Sequence, residues 1–289
     1  MVDRKTEWFG YPVLTRAKRL MGLLFLTLLI LAGTGFALPG QATAAETSTA
    51  TTATAQENKQ AAGKWKEKKK YFYYYKNGKP LKGLQVIDGK TYLFDKAGKQ
   101  LTGWRQTGKV YRYFRIENGA KGCMVKGRKV NRIMIDKDGK AKVKSDVKAR
   151  ITLLVRYQKL VDRLVRPGMN KKDKLIRVFK VARDKPYAVL PRWGYSGRWE
   201  EKLGAAFLDK SYVDCTAQAG GFAFLANAVG YKKVAVRLYG HAHCEINGRI
   251  YDPGFAKIVP DKEYVRYFNK THKQLKRMGI ERTNPLHFI

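Results

Sequence analysis

Four side chains in the C-terminal half have the types and order that acyl-transfer chemistry requires. Cys215 directly follows Asp214, and His241, His243 and Asp252 come after it. A thiol becomes a nucleophile once a base takes its proton, and the base works best when a third group fixes its orientation. Residues 216–229 are small and apolar at helical spacing, with Ala219, Phe222, Leu225 and Ala228 on one stripe. That predicts a buried helix with Cys215 in its first turn, where unpaired N–H groups favour a thiolate. Lys233 to Leu238 reads as an apolar strand, and Asn247-Gly248 is the favoured pair for a two-residue type I′ turn. Register follows from that turn: Ile246 faces Arg249, and counting outward puts His243 opposite Asp252. His241 then lies diagonal to Asp252, at roughly 7–8 Å between backbones. Cys244 alternates to the other face of the strand as a buried residue. Glu245 shares the histidine face and is expected to pair with a nearby lysine or arginine.

These residues resemble the transglutaminase-like superfamily of papain-type Cys-His-Asp proteins. The resemblance rests on Asp214-Cys215, on His241-Ala242-His243-Cys244-Glu245 and on Asp252-Pro253, in that order, within residues 146–289. It implies Cys215 as nucleophile, His241 as its base and Asp252 as the group that orients the imidazole. The implied reaction runs through a thioester that passes to water (a cysteine peptidase or amidase) or to an amine (a transglutaminase), on a protein or peptide substrate. The backbone N–H of Cys215 is a natural oxyanion donor. No cofactor is implied, and no metal-ligand cluster with zinc spacing is present. His243 stands where the family usually has tryptophan. Register and resemblance thus name different histidines as the base. The alternative is a non-catalytic wall adhesin whose transglutaminase-like domain has lost activity.

Elements upstream must position this hairpin and helix. Residues 146–167 carry an apolar stripe ended by Pro167-Gly168, and 171–183 form a second helix stopped by Pro186. Residues 200–208 read as a short helix, and the aromatic stretch 187–199 as a loop beside the site. A basic, partly helical tail covers 261–279.

Residues 71–145 are an internal repeat. Gly78, Gly98, Gly119 and Gly139 recur at steps of 20, 21 and 20 residues, each after an aromatic or β-branched strand. Each unit reads as a β-hairpin, and hairpins that cannot bury a face alone are expected to stack as a solenoid. The units resemble the choline- and glucan-binding repeats of secreted Gram-positive proteins. The pattern is complete at Tyr92, Phe94, Asp95, Gly98, Gly103 and Trp104, while Leu84 and Cys123 fill the tryptophan place elsewhere. Tyr92, Phe94 and Trp104 are therefore the binding residues that the resemblance implies.

The fold class expected is an α+β papain/transglutaminase-like domain, residues 146–289, preceded by the all-β hairpin-repeat solenoid, residues 71–145. A length of 289 residues suits about two such domains. Residues 1–45 have a basic start, an apolar run from Leu20 to Leu38 and an Ala-x-Ala site, the parts of a signal peptide. Residues 46–70 read as a flexible linker ending in a basic run. The 59 Lys and Arg against 23 Asp and Glu give +36, which predicts adhesion to polyanions. With an exported chain that means Gram-positive cell-wall polymer (teichoic acid, glycan or a choline-like group) rather than nucleic acid, and membrane only if the signal is uncleaved. The expected location is extracellular and wall-associated. A disulfide between Cys123 and Cys244 stays open.

Overall fold

The computed structural model describes residues 63–189, 199–238, 241–278 and 286–288. The expected signal peptide, the expected linker up to residue 62 and most of the 187–199 stretch lie outside the described residues.

Short antiparallel sheets come first. β1 (Lys64–Lys68), β2 (Tyr71–Lys76) and β3 (Lys79–Pro80) make one; β4 (Gly83–Ile87), β5 (Lys90–Phe94) and β6 (Gln100–Leu101) make a second. β7 (Gly103–Thr107) pairs with β8 (Val110–Phe114), and β9 (Lys129–Val130) with β10 (Ile133–Met134). The repeat is visible in its turns. Asp95 Oδ1 accepts from the N–H groups of Ala97 and Lys99, both at 2.8 Å, and Asp136 Oδ1 does the same for Asp138 and Lys140 at 2.9 and 2.8 Å. In both turns the following glycine, Gly98 or Gly139, donates back to the aspartate carbonyl.

Residues 64–68 differ from the sequence expectation. They are strand β1 rather than the basic end of a linker. Trp65 is the cause: its neighbours Lys64 and Lys66 point outward while its ring packs on Tyr74, Tyr92 and Phe94 at 5.3, 5.1 and 5.9 Å. Lys69 and Lys70, both at positive φ, turn the chain into β2.

Helices follow: α1 (Ser145–Leu164), α2 (Lys171–Asp184), α3 (Trp199–Asp209) and α4 (Cys215–Ala228). Asn170 caps α2 through the Asp173 N–H, so the helix starts where its side chain replaces a missing backbone partner. Among the remaining elements, β11 (Val234–Leu238), β12 (Ala242–Ile246), β13 (Arg249–Tyr251) and β14 (Leu286–Phe288) form an antiparallel sheet in the order β13-β12-β11-β14. Asn247 and Gly248 both have positive φ, as a type I′ turn demands, and Ile246 pairs with Arg249.

Two short helices complete the site end, α5 (Pro253–Lys257) and α6 (His272–Arg277). Helix α4 is the centre of the core. Ala217, Ala219, Phe222, Phe224 and Leu225 are fully buried, against α1, α2 and α3 on one side and Val236, Ala242, Cys244 and Ile246 of the sheet on the other. The same core continues into the later hairpins through Trp104, Val125, Ile133 and Ile135. Trp104 Nε1 donates to Asn131 Oδ1 at 2.8 Å, and Asn131 Nδ2 donates to Asn227 of α4 at 3.0 Å. Tyr74, Ile87, Tyr92 and Phe94 form a separate small cluster.

Candidate functional site

Cys215 is the first residue of α4 because Asp214 stops the helix there. Asp214 has extended backbone, and its carboxylate accepts from the Ala217 N–H at 2.9 Å and the Thr216 hydroxyl at 2.6 Å. The thiol is half-buried at the positive end of a 14-residue helix.

Asp252 is also a helix cap. Its Oδ1 accepts from the Phe255 N–H at 2.9 Å and Pro253 holds the first position of α5. This leaves Oδ2 for His241, whose Nε2 lies 2.8 Å away. Asp252 is almost wholly buried, while His241 keeps part of its ring exposed. With Nε2 given to the carboxylate, Nδ1 is the ring nitrogen left for the Cys215 thiol, which bonds to the His241 side chain. Burial opposes a charge on this ring, but the Asp252 carboxylate and the Cys215 thiol outweigh it and raise the pKa to about 10. Phe255 stacks on the imidazole at 4.1 Å and 19°. Gly254 gives the ring its room: a Cβ there would stand 3.2 Å from His241 Cε1 and 3.4 Å from Asp252 Oδ1.

His243 is elsewhere, although the register expected for it holds as far as the sheet goes. Cys244 pairs with Tyr251, the last residue of β13. At Asp252 the chain leaves the sheet for α5, so its carboxylate is no longer tied to the strand face. His241 sits at the bend before β12 and is likewise free of strand alternation. His243, inside β12, is not. Ala242, Cys244 and Ile246 fill the face toward α4, so His243 and Glu245 project from the other. There Glu245 meets Arg237 at 2.7 Å, His243 at 3.3 Å and His272 at 3.5 Å. The ion pair expected for Glu245 is thus to Arg237.

Three neighbours of the site escaped the sequence reading. Phe255 belongs to α5, whose Asp252-Pro253 start is a legible cap-and-proline signal. Gln218 lies one turn after Cys215, buried, with Oε1 3.3 Å from the Cβ position of Gly254; the i, i+3 spacing puts it on the Cys215 side of the helix. Tyr187 has no such signal. A parallel bridge joins it to Val213, with Val213 N–H to Pro186 O at 2.8 Å and Ala188 N–H to Val213 O at 3.1 Å. This sets its hydroxyl on the backbone N–H of Cys215. Burial and the neighbouring Cys215 and Asp214 push the phenol pKa up, so it stays protonated.

The three rings expected to bind ligand are core residues here. Tyr92, Phe94 and Trp104 are each 2% exposed. The Tyr92 hydroxyl donates to Ala120 O at 2.8 Å, Trp104 is tied to Asn131, and Phe94 packs on Trp65. Closing the space between consecutive hairpins takes rings of this size, which is why the pattern that marks a repeat also marks its core. Cys123, Cys215 and Cys244 are free thiols, so no Cys123–Cys244 disulfide forms, and burial pushes the Cys244 thiol pKa well up. Among the described residues no group of three His, Cys, Asp or Glu is placed to hold a metal.

Residues 81–128 match the choline-binding repeat. That stretch contains Tyr92, Phe94 and Trp104 and ends before α1. Solved structures are similar to part of the chain. The choline-binding domain of a Streptococcus pneumoniae protein is 18% identical, over 27% of this chain and 93% of that one, with a TM-score of 0.24. Choline binding protein F of Streptococcus pneumoniae, solved with a peptidoglycan analogue, is 22% identical over 27% of this chain and 33% of that one, with a TM-score of 0.19. The multimodular pneumococcal cell-wall endolysin from phage Cp-1, solved with choline, is 25% identical over 30% of this chain and 27% of that one, with a TM-score of 0.25. The chain thus spans a third or less of the last two. No curated protein matches the chain.

Proposed function

We propose that this is an exported, wall-associated protein that holds Gram-positive cell-wall polymer through its repeats and carries thiol acyl-transfer chemistry in its C-terminal domain. The repeat match at residues 81–128 supports the first half. It supports equally the second reading, an adhesin that only binds. The second half rests on one observation: His241 held by buried Asp252 at 2.8 Å, against a thiol at a helix start.

In the reaction proposed, His241 stands as the imidazolium, with the proton given up by Cys215 on Nδ1, and the paired sulfur attacks a carboxamide or peptide carbonyl. Asp252 keeps Nε2 protonated and steadies the imidazolium. The Cys215 N–H, expected as the oxyanion donor, is engaged by the Tyr187 hydroxyl, so in this proposal the hydroxyl takes over and donates to the developing charge. The imidazolium then protonates the leaving amine, and the thioester passes to water or to a second amine.

The test is a comparison of the full chain with Cys215→Ala on isolated Gram-positive walls. Both are expected to adsorb, and only the wild type to release or join wall peptides in a mass map. Identical maps, together with iodoacetamide labelling of Cys215 no faster than of Cys123, would leave the adhesin.

A further inference from the structure

A cavity of about 160 Å³ lies where the hairpins meet α1 and α2. The far end of α4 reaches it, so it stands about 20 Å from Cys215, the length of a 14-residue helix. Its lining includes Tyr71, Asp95, Lys99 and Asn118 from the hairpins, and Asp162 and Lys174 from the helices.

The two acids are already engaged. Asp162 is gripped by the Arg105 guanidinium, and Asp95 caps its own turn. The two lysines are not neutralised. Lys99 Nζ stands 4.2 Å over the Tyr71 ring. Lys174 Nζ donates to the Pro167 carbonyl at 2.6 Å, an acceptor that Asn118 Nδ2 shares at 3.2 Å. Among the described residues neither ammonium has a carboxylate within 4.0 Å. Lys174 is half-buried, and burial alone lowers its pKa. Withdrawing a cation from water without a counter-charge is unfavourable, and an anion in the cavity removes that cost. The volume suits one phosphate group: water occupies about 30 Å³ in the liquid, so the cavity holds a group several times that size.

We propose that this junction cavity is a binding site for a phosphoryl group, held between Lys99 and Lys174 with Asn118 as a neutral donor. Only the source of that group, a phosphodiester of wall polymer, rests on the wall-binding reading above. The chemistry is equally that of free phosphate.

Thermal melting and calorimetry of the full chain test it, with inorganic phosphate, a short glycerol-phosphate oligomer and uncharged glycerol as probes. A saturable rise in melting temperature is expected with the first two and none with glycerol. Lys174→Gln and, separately, Lys99→Gln are expected to weaken phosphate binding by about tenfold or more, the effect of losing one charge-assisted bond. Lys172→Gln, an exposed lysine on the same helix, controls for general surface charge and should bind as wild type. Tighter binding of the oligomer assigns the site to polymer, and equal or weaker binding assigns it to free phosphate. If both cavity variants bind as wild type, or Lys172→Gln loses as much as they do, the site is overturned. Wall adsorption followed in parallel separates the two proposals. Loss of phosphate binding with normal adsorption keeps the site and removes its wall role.

Discussion

The two halves of the molecule bury their apolar surface in different ways. The first hairpins gather a few rings, Tyr74, Tyr92 and Phe94 around Trp65, and leave Leu84 and Val86 open at 43% and 72%. The C-terminal half wraps three helices and a sheet round α4, most of whose side chains see no solvent. Local turns dictate the first architecture: Asp95 and Gly98 make their contacts within five residues of chain. Long-range packing dictates the second. A repeat is therefore recognisable in 48 residues, 81–128, whereas the site end depends on residues 187, 215, 241 and 252 meeting in space.

Trp104 blurs that division, because it belongs to a repeat and to the core of α4. The comparison can be broken there or sharpened elsewhere. Apart from loss of the base itself, Tyr187→Phe carries the largest effect expected. Removing one oxyanion donor costs on the order of 10²–10³ in turnover, and Cys215 alkylation, which develops no oxyanion, should be unchanged. A merely structural tyrosine would leave turnover intact.

Next come the two tryptophans. Trp104→Ala deletes a fully buried ring and its bond to Asn131, a loss of about 3–5 kcal/mol. Chemical denaturation followed at Cys215 should show the helical domain unfolding earlier. Trp65→Ala should loosen the first hairpins and leave Cys215 protection near wild type. Equal effects at Cys215 would mean that the halves fold as one and the contrast fails.

The smallest effect is one of pH. His241 has a pKa of about 10 in the fold against 6.5 unfolded. A raised value means that the imidazolium stabilises the fold, with its full contribution below about 6.5 and its loss as pH rises through about 10. Melting temperatures from pH 6 to 10.5 should therefore fall more for wild type than for His241→Ala. Parallel curves would show that the pair adds nothing to stability.

Much of this was legible in the chain. Apolar spacing marks α1, α2 and α4 to within about three residues at each end, since amphipathic periodicity reports the buried face directly. Asn247-Gly248 fixes the hairpin register, which the structure shares. The choice of histidine was not legible from register, because alternation applies inside a strand while His241 and Asp252 both lie just beyond strand ends. Resemblance pointed to the histidine that meets Asp252, and register to the one on the far face. Strand β1 was missed because four of its five residues are charged and its one ring finds partners up to residue 94. Tyr187 was missed because a parallel bridge to Val213 has no local sequence mark.

Alkylation of Cys215 by iodoacetamide at neutral pH, in wild type, His241→Ala and His243→Ala, tests the central claim most directly. The account predicts rapid labelling in wild type and slow labelling in a folded His241→Ala protein, whose turnover falls by about 10²–10⁴. His243→Ala, altered on the face away from α4, should label at close to the wild-type rate even if it melts earlier. Slow labelling of His243→Ala beside normal labelling of His241→Ala would contradict the arrangement of Cys215, His241 and Asp252 described above.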